Sequence, residues 1–180
     1  MLEKIVCICG HAQNGKDTFA KMAEEKLTAK GKKVLIVHYA DYLKFMAKTY
    51  FGWDGQKDEK GRDLLQWLGT NKVRTINHDF WVIAVSNFIE LFKGEYNYIF
   101  IPDCRFPNEV SYLRQQFGFE KITLVRIYRK DFISPLTEKQ QEHPSETSMD
   151  DQPANYVIKV GEGLDKVQHE VDKFLAFYNM

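Results

Sequence analysis

Neither sign of charge is in excess in this chain: 25 lysines and arginines face 25 aspartates and glutamates, so the net charge is zero. That balance argues against a broad nucleic-acid footprint, which needs a basic face, while leaving room for a local anion site. Cysteine is scarce as well. Cys7, Cys9 and Cys104 are too few for a disulfide framework, and an isolated C-x-C pair is a poor zinc signal. Buried thiols in a reducing cytoplasm are the expected state. No apolar run approaches the roughly 20 residues that span a bilayer, and no signal-peptide pattern precedes the first strand. Internal repeats and low-complexity tracts are missing too. The expectation is a soluble, cytoplasmic protein with neither a membrane nor a nucleic acid as partner.

What the chain does contain is a core. Its 180 residues are 44% apolar and 14% aromatic, enough for one well-packed domain. Runs rich in Val, Ile and aromatics predict five strands, at about Lys4–Cys9, Lys33–Tyr39, Tyr98–Ile101, Lys121–Tyr128 and Tyr156–Val160. Helical patterns alternate with them: one from about Gly15 to Ala29, closed by Gly31, and one from about Leu164 to Tyr178. Strands alternating with helices imply a parallel sheet covered on both faces. Two segments exceed ordinary connections. Residues 41–97 hold three helical patterns, near 41–51, 61–72 and 78–93. Residues 129–155 are polar, carry Pro135, Pro144 and Pro153, and have little apolar periodicity. Both follow the carboxyl ends of strands, where α/β proteins bind ligands. The second is expected to be a mobile lid.

The most specific motif is Gly10-His11-Ala12-Gln13-Asn14-Gly15-Lys16-Asp17-Thr18, between the first strand and the first helix. GxxxxGK in that setting is a phosphate-binding loop. Its glycines let backbone N–H groups turn toward phosphate oxygens, while the helix N-terminus and Lys16 supply positive charge. Asp17 stands where Ser or Thr commonly holds Mg²⁺. Thr18, about 100° further round the helix, does not replace that hydroxyl but can reach an inner phosphate. Asp17 reads either as a group that holds a metal or its water, or as a first-turn carboxylate that complements the helix dipole.

Asp103 ends the apolar strand Tyr98–Ile101 and reads as a second metal carboxylate or as a helix cap, with Arg105 at the same strand edge. The insertion gathers Arg62, Gln66, Gly69, Lys72 and Arg74, followed by Trp81. Arg62 and Gln66 share a helix face, suited to binding a phosphate and a base edge, or simply to facing solvent. Arg126 and Arg129 flank the start of the polar flap, placed either to neutralise a transferring phosphoryl group or to form surface ion pairs. His143-Pro144-Ser145-Glu146 invites a catalytic reading, but phosphoryl transfer needs little acid–base help, so His143 is read as structural.

Together these pieces resemble the bacteriophage-type deoxynucleoside monophosphate kinases of the P-loop nucleoside monophosphate kinase family. The likeness rests on GxxxxGKDT at 10–18, Tyr39-Ala40-Asp41-Tyr42-Leu43-Lys44, Leu65-Gln66-x-Leu68-Gly69-Thr70-x-x-x-Arg74 with Trp81, and Asp103-x-Arg105-Phe106-x-Asn108-Glu109. It departs from the family pattern at Tyr42, where a Pro is expected, and at Pro102. The resemblance implies a P-loop kinase fold: one α/β domain with a five-stranded parallel sheet, helices on both faces, an acceptor-binding insertion at 41–97 and a short lid at 129–155. It implies ATP and Mg²⁺ as cofactors and small nucleotides as partners, with a homodimer left open. Donor phosphates would meet Gly10, Asn14, Gly15, Lys16, Asp17 and Thr18. The acceptor would meet Asp41, Lys44, Arg62, Gln66, Arg74, Trp81 and Arg105. Lys16, Arg105, Arg126 and Arg129 would serve transfer, and Asp17 and Asp103 the metal. A kinase for another small phosphorylated metabolite, and a nucleotide-binding regulator without transfer activity, remain as alternatives.

Overall fold

The computed structural model describes residues 1–130 and 132–180; residue 131, within the expected lid, lies outside the described residues. Five strands form one parallel sheet: β1 (Lys4–Cys9), β2 (Val34–Ile36), β3 (Tyr98–Ile101), β4 (Ile122–Arg129) and β5 (Tyr156–Val160), in the order β2-β3-β1-β4-β5. β1 lies at the centre, so the loop that follows it opens at the middle of the carboxyl edge, between β3 and β4.

Alternation along the strands divides the core into two layers. Val6 and Ile8 of β1, Tyr98 and Phe100 of β3, and Val125 and Ile127 of β4 face α1 (Lys16–Ala29) and α8 (Leu164–Phe177). Ile5, Cys7, Ile99, Ile101 and Leu124 face the other way, toward α4 (Phe80–Phe92) and α5 (Pro107–Phe117). Both faces of the sheet are covered, which is why the strands read as nearly continuous apolar runs. Among the described residues no helix is long and apolar enough to cross a membrane.

The insertion after β2 contains α2 (Ala40–Tyr50), α3 (Glu59–Gln66), a π-helical stretch Trp67–Arg74, and α4. Two departures from the sequence expectation matter for the site. β2 stops at Ile36 rather than continuing to Tyr39, because the Asp103 carboxylate accepts the N–H groups of Tyr39 and Ala40 and starts α2 there. The pattern near 61–72 divides into an α- and a π-helical part. In the π-helical part Trp81 Nε1–H donates to the Gly69 carbonyl at 2.9 Å, and a Cβ on Gly69 would lie 2.8 Å from Leu43.

The polar segment after β4 carries two short helices, α6 (Glu138–Gln141) and α7 (Pro144–Thr147). It has no apolar stripe, yet Leu136, Gln140, Glu146 and Met149 are buried. Polar anchors hold it. Gln140 donates to Asp63 and to the Glu59 carbonyl, and the Arg126 guanidinium donates to the Met149 and Gln152 carbonyls.

The α1–α8 layer hinges on Phe174, fully buried, edge-to-face with Phe19 at 5.4 Å and with Tyr156 at 5.4 Å. Phe174→Ala should cost about 3–5 kcal/mol of unfolding free energy. Urea denaturation checks this, and a loss below about 1 kcal/mol would show that the layer closes over the missing ring.

Candidate active site

The phosphate loop is shaped by close approach. Gly10 has φ 138°, and a Cβ there would fall 2.0 Å from the Ile127 carbonyl oxygen of β4, so no side chain fits. Gly15, with φ 86°, takes the left-handed conformation that starts α1. Asn14 is buried and its Oδ1 accepts the Arg129 N–H at 2.7 Å, tying the loop to the end of β4. Lys16 is also buried, with Nζ donating to the Gly10 and His11 carbonyls at 2.7 Å each. Burial, and then repulsion from Arg105, lower its pKa from an ordinary 10.5 to about 8.

Asp17 and Thr18 begin α1. Asp17 is exposed and meets His38 Nε2 at 2.8 Å; this contact lowers the carboxyl pKa and raises that of the imidazole. Asp41 meets His38 Nδ1 at 3.3 Å and Lys44 at 3.1 Å, so His38 lies between two carboxylates beside the loop. Asp103, at the end of β3, gives both oxygens to the N-terminus of α2 at 3.0 and 2.9 Å.

Next to the loop, across Arg105, a cleft opens between the insertion, the β3–α5 turn and the flap. Five cations line it: Lys44, Lys57, Arg62, Arg74 and Arg105. They are not equivalent. Arg74 is buried in an ion pair with Glu109, donates to the His78 carbonyl at 3.1 Å and lies 4.0 Å over the Phe106 ring. It braces the wall. Arg62 and Lys57 have no ion-pair partner among the described residues. The pKa of Lys57 is lowered, by partial burial first and then by Lys44, with Arg62 and Arg105 adding to it. Mutually repelling cations with so little compensation give this part of the cleft a positive potential.

Apolar and aromatic groups complete the cleft, among them Leu43, Leu65, Trp81, Phe106 and Leu136. Gln66 lines it too and donates through Nε2 to the Gln140 carbonyl at 3.3 Å. Trp81 contributes an apolar surface only, since its N–H is engaged by Gly69.

The structure therefore brings together Lys44, Arg62, Gln66, Arg74, Trp81 and Arg105 around one cleft, with Asp103 at its edge. Asp41 stands outside it, with His38 and Lys44. Arg126 and Arg129 stand outside it too. Arg126 anchors the flap backbone, and the Arg129 guanidinium lies 4.7 Å over Phe132. Lys57 is a cleft residue that the sequence did not mark, and Glu146, named there only within the 143–146 motif, is another. Lys57 lies in the charged turn Gln56-Lys57-Asp58-Glu59-Lys60, where nothing local distinguishes it from its neighbours.

The depressed Lys16 pKa carries a sign that can be tested. Below about pH 8 the side chain is charged in both the folded and unfolded chain, and burying that charge opposes folding. Between about 8 and 10.5 the folded state releases its proton first, so the cost fades as pH rises. Lys16→Met should therefore stabilise the protein without nucleotide at pH 7, by about 1–3 kcal/mol, and should lose that advantage above pH 10.5. Chemical denaturation at the two pH values checks it, and a destabilised variant at pH 7 would contradict the buried-charge account.

Comparison with known proteins agrees with this geometry. A family model described as deoxynucleotide monophosphate kinase matches residues 31–171. That match begins after the phosphate loop, so the two observations are independent. No curated protein matches the chain. Solved structures similar to it include an APS kinase from Mycobacterium tuberculosis in complex with AMPPNP and APS, with TM-score 0.59, 12% identity, and 97% of this chain and 98% of that one covered. A gluconokinase from Sinorhizobium meliloti 1021 gives TM-score 0.53 at 12% identity, covering 98% and 94% of the two chains. Shikimate kinase from Aquifex aeolicus gives 0.51 at 12%, covering 97% and 98%. At such identities the likeness is one of fold, the parallel α/β fold of P-loop kinases. With that fold built around its phosphate loop and the family match covering most of its length, this chain belongs to the deoxynucleotide monophosphate kinase family.

Proposed function

We propose that the protein transfers the terminal phosphoryl group of ATP to a deoxynucleoside monophosphate, giving the diphosphate. The observation that carries this reading is Arg105. It stands between the phosphate loop and a cleft that is cationic at one part and apolar at another. A nucleoside monophosphate has the same division, with a dianionic phosphate joined to an apolar-faced base. Lys44, Lys57 and Arg62 suit the phosphate, and Leu43, Leu65, Trp81 and Phe106 suit the base and sugar. Gln66 and Thr70 offer hydrogen bonds to a base edge. A small polar metabolite would leave these apolar walls unused, which favours the nucleotide.

Transfer of this kind depends on alignment and on stabilising charge. The acceptor phosphate oxygen attacks the γ-phosphorus in line with the departing diphosphate. Lys16 neutralises the donor side and Arg105 the group in flight. The donor set near the loop suits Mg²⁺, which binds through one or two carboxylates together with phosphates and water. Asp17 and Asp103 would hold it or its waters. Both Asp103 oxygens already accept amides but keep lone pairs free. When bound, the ion draws charge from the phosphate oxygens. The flap, residues 129–155, acts as a lid whose seating excludes water.

Two outcomes test this reading. ATP consumption across a panel of monophosphates should show transfer to at least one deoxynucleotide, with Lys16→Ala lowering kcat by roughly 10²-fold or more. Lys57→Ala and Arg62→Ala should each raise the acceptor KM about tenfold and move the ATP KM far less. No transfer to any nucleotide would reject the assignment. The second outcome concerns the sugar. Trp81 faces the cleft with its one polar group, the indole N–H, already engaged by the Gly69 carbonyl. A 2′-hydroxyl against the indole would lack a partner, at a cost of roughly 1–3 kcal/mol. Each deoxynucleotide should thus exceed its ribose counterpart in kcat/KM by about 5- to 150-fold. Equal values would remove the deoxy preference.

A further inference from the structure

The motif His143-Pro144-Ser145-Glu146 has no part in the scheme above. His143 is accounted for by local structure: its Nδ1 accepts the Ser145 N–H at 3.2 Å and it caps α7. Glu146 is not. Its side chain is only 5% exposed, deep between the flap, the phosphate loop and the cleft. Oε2 accepts the Ala12 N–H of the phosphate loop at 2.8 Å. Oε1 pairs with Arg105 Nη1, and the same Nη1 donates to the Ser145 carbonyl at 2.7 Å. One carboxylate thus joins the flap, the donor loop and the arginine between the two substrates.

A buried carboxylate beside a polyphosphate site is unfavourable in two ways. It loses hydration, and it repels the ligand. Its position makes physical sense if it arranges the cations around it. The contacts fit that role. Ser145 and Glu146 hold the Nη1 edge of the guanidinium, while Nε and Nη2 have no protein partner among the described residues. Arg105 lines the cleft on one side and the hollow beside Gly10 on the other. An arginine held by one edge presents its remaining donors in a fixed plane, which suits bidentate binding of a phosphoryl group.

We propose that Glu146 is a positioning residue of the transfer reaction, fixing Arg105 between the phosphate loop and the acceptor cleft whenever the flap is seated. This rests on the kinase reading above. Seating of the flap, the shape of the loop at Ala12 and the aim of Arg105 then become one event. The flap does not depend on Glu146 for attachment, because Gln140 binds α3, Arg126 binds the Met149 and Gln152 carbonyls, and Asp150 meets His11 at 3.0 Å. Removing the charge should therefore spare the fold and spoil the alignment.

The test is a double-variant cycle. Glu146→Gln offers one acceptor oxygen in place of two. It should lower kcat ten- to a hundredfold, with ATP and acceptor KM changing less than about threefold and the melting temperature nearly unchanged. Arg105→Ala should lose at least as much, and the double variant should lose little more than Arg105→Ala alone. If Glu146→Gln fails to fold, Glu146→Asp replaces it. That variant keeps the charge but cannot span Ala12 and Arg105 together, and should show the same loss of kcat. Wild-type kcat in the 146 variants, or losses that multiply in the double variant, would overturn the proposal. Amide exchange at Ala12, followed without nucleotide, reads the contact whatever the acceptor proves to be. It should be at least tenfold faster in Glu146→Ala, and equal rates would likewise overturn the proposal. Inactivity of the wild type on every nucleotide would instead reject the substrate assignment.

Discussion

Glu109 carries a carboxylate that is almost completely buried and meets three donors at once: the Arg105 N–H, the Phe106 N–H and the Arg74 guanidinium. Burial pushes its pKa up, while Arg74 and the two amides oppose that shift. A charge in this position is tolerable only when every partner is present, and removal of one partner from such a pair typically costs about 3–5 kcal/mol. The cleft is assembled around this requirement. Arg74 brings the π-helical end of the insertion to the β3–α5 turn, and the amides hold that turn in the shape that presents Arg105. The Arg74 guanidinium lies over the Phe106 ring, and Asn108, in the first turn of α5, reaches the His78 carbonyl and Asp79 at the start of α4. Beside the apolar packing of α4 on the sheet, polar bonds of fixed direction thus join the insertion to the β3–α5 turn.

The same economy governs charge. The chain is neutral overall, yet some cations gather at the cleft with few acidic partners while others are neutralised by carboxylates and carbonyls. Burial, and then repulsion from Arg105, lowers the Lys16 pKa; burial, and then Lys44 with Arg62 and Arg105, lowers that of Lys57. Arg74 and Arg126 are used up by Glu109 and by backbone carbonyls. Arg105 is intermediate, with one edge held and the other open. Residue type alone does not separate these cases: all five are basic side chains in polar stretches of sequence, and what divides them is which acceptors the fold places within reach.

Much of the fold was legible in the chain. β1, β3 and β5 occur where the sequence predicts them: β1 and β3 are buried on both faces and read as continuous apolar segments, while the edge strand β5 alternates buried Ile158 and Val160 with exposed Val157 and Lys159. The turn between β1 and α1 was legible because its shape lies in the backbone, with Gly10 and Gly15 at the positive φ values that the GxxxxGK spacing implies. Departures arose where a distant group intervened. Asp103 shortened β2 by capping α2 from the end of the neighbouring strand β3, and Trp81 and Leu43 accompany the π-helical geometry around Gly69. In the flap the expectation of little burial did not hold at Gln140 and Glu146, whose partners Asp63 and Ala12 lie far away in the chain. Periodicity registers apolar faces and is blind to polar anchoring of this kind.

By itself, then, the sequence determined the parallel α/β class, the glycine-shaped loop after β1 and the rough position of the helical insertion after β2. Each of these depends on local spacing: alternation along strands, periodicity along helices, glycines at a turn. Only the tertiary structure decided which cations face the cleft, that Lys57 is one of them, that Arg126 is bound to the flap, and that Glu146 bridges Ala12 and Arg105. Those contacts join residues more than twenty, and in one case 134, positions apart. Such distances are closed by the whole folded chain, and no local pattern of residues encodes which partner will be waiting at the other end.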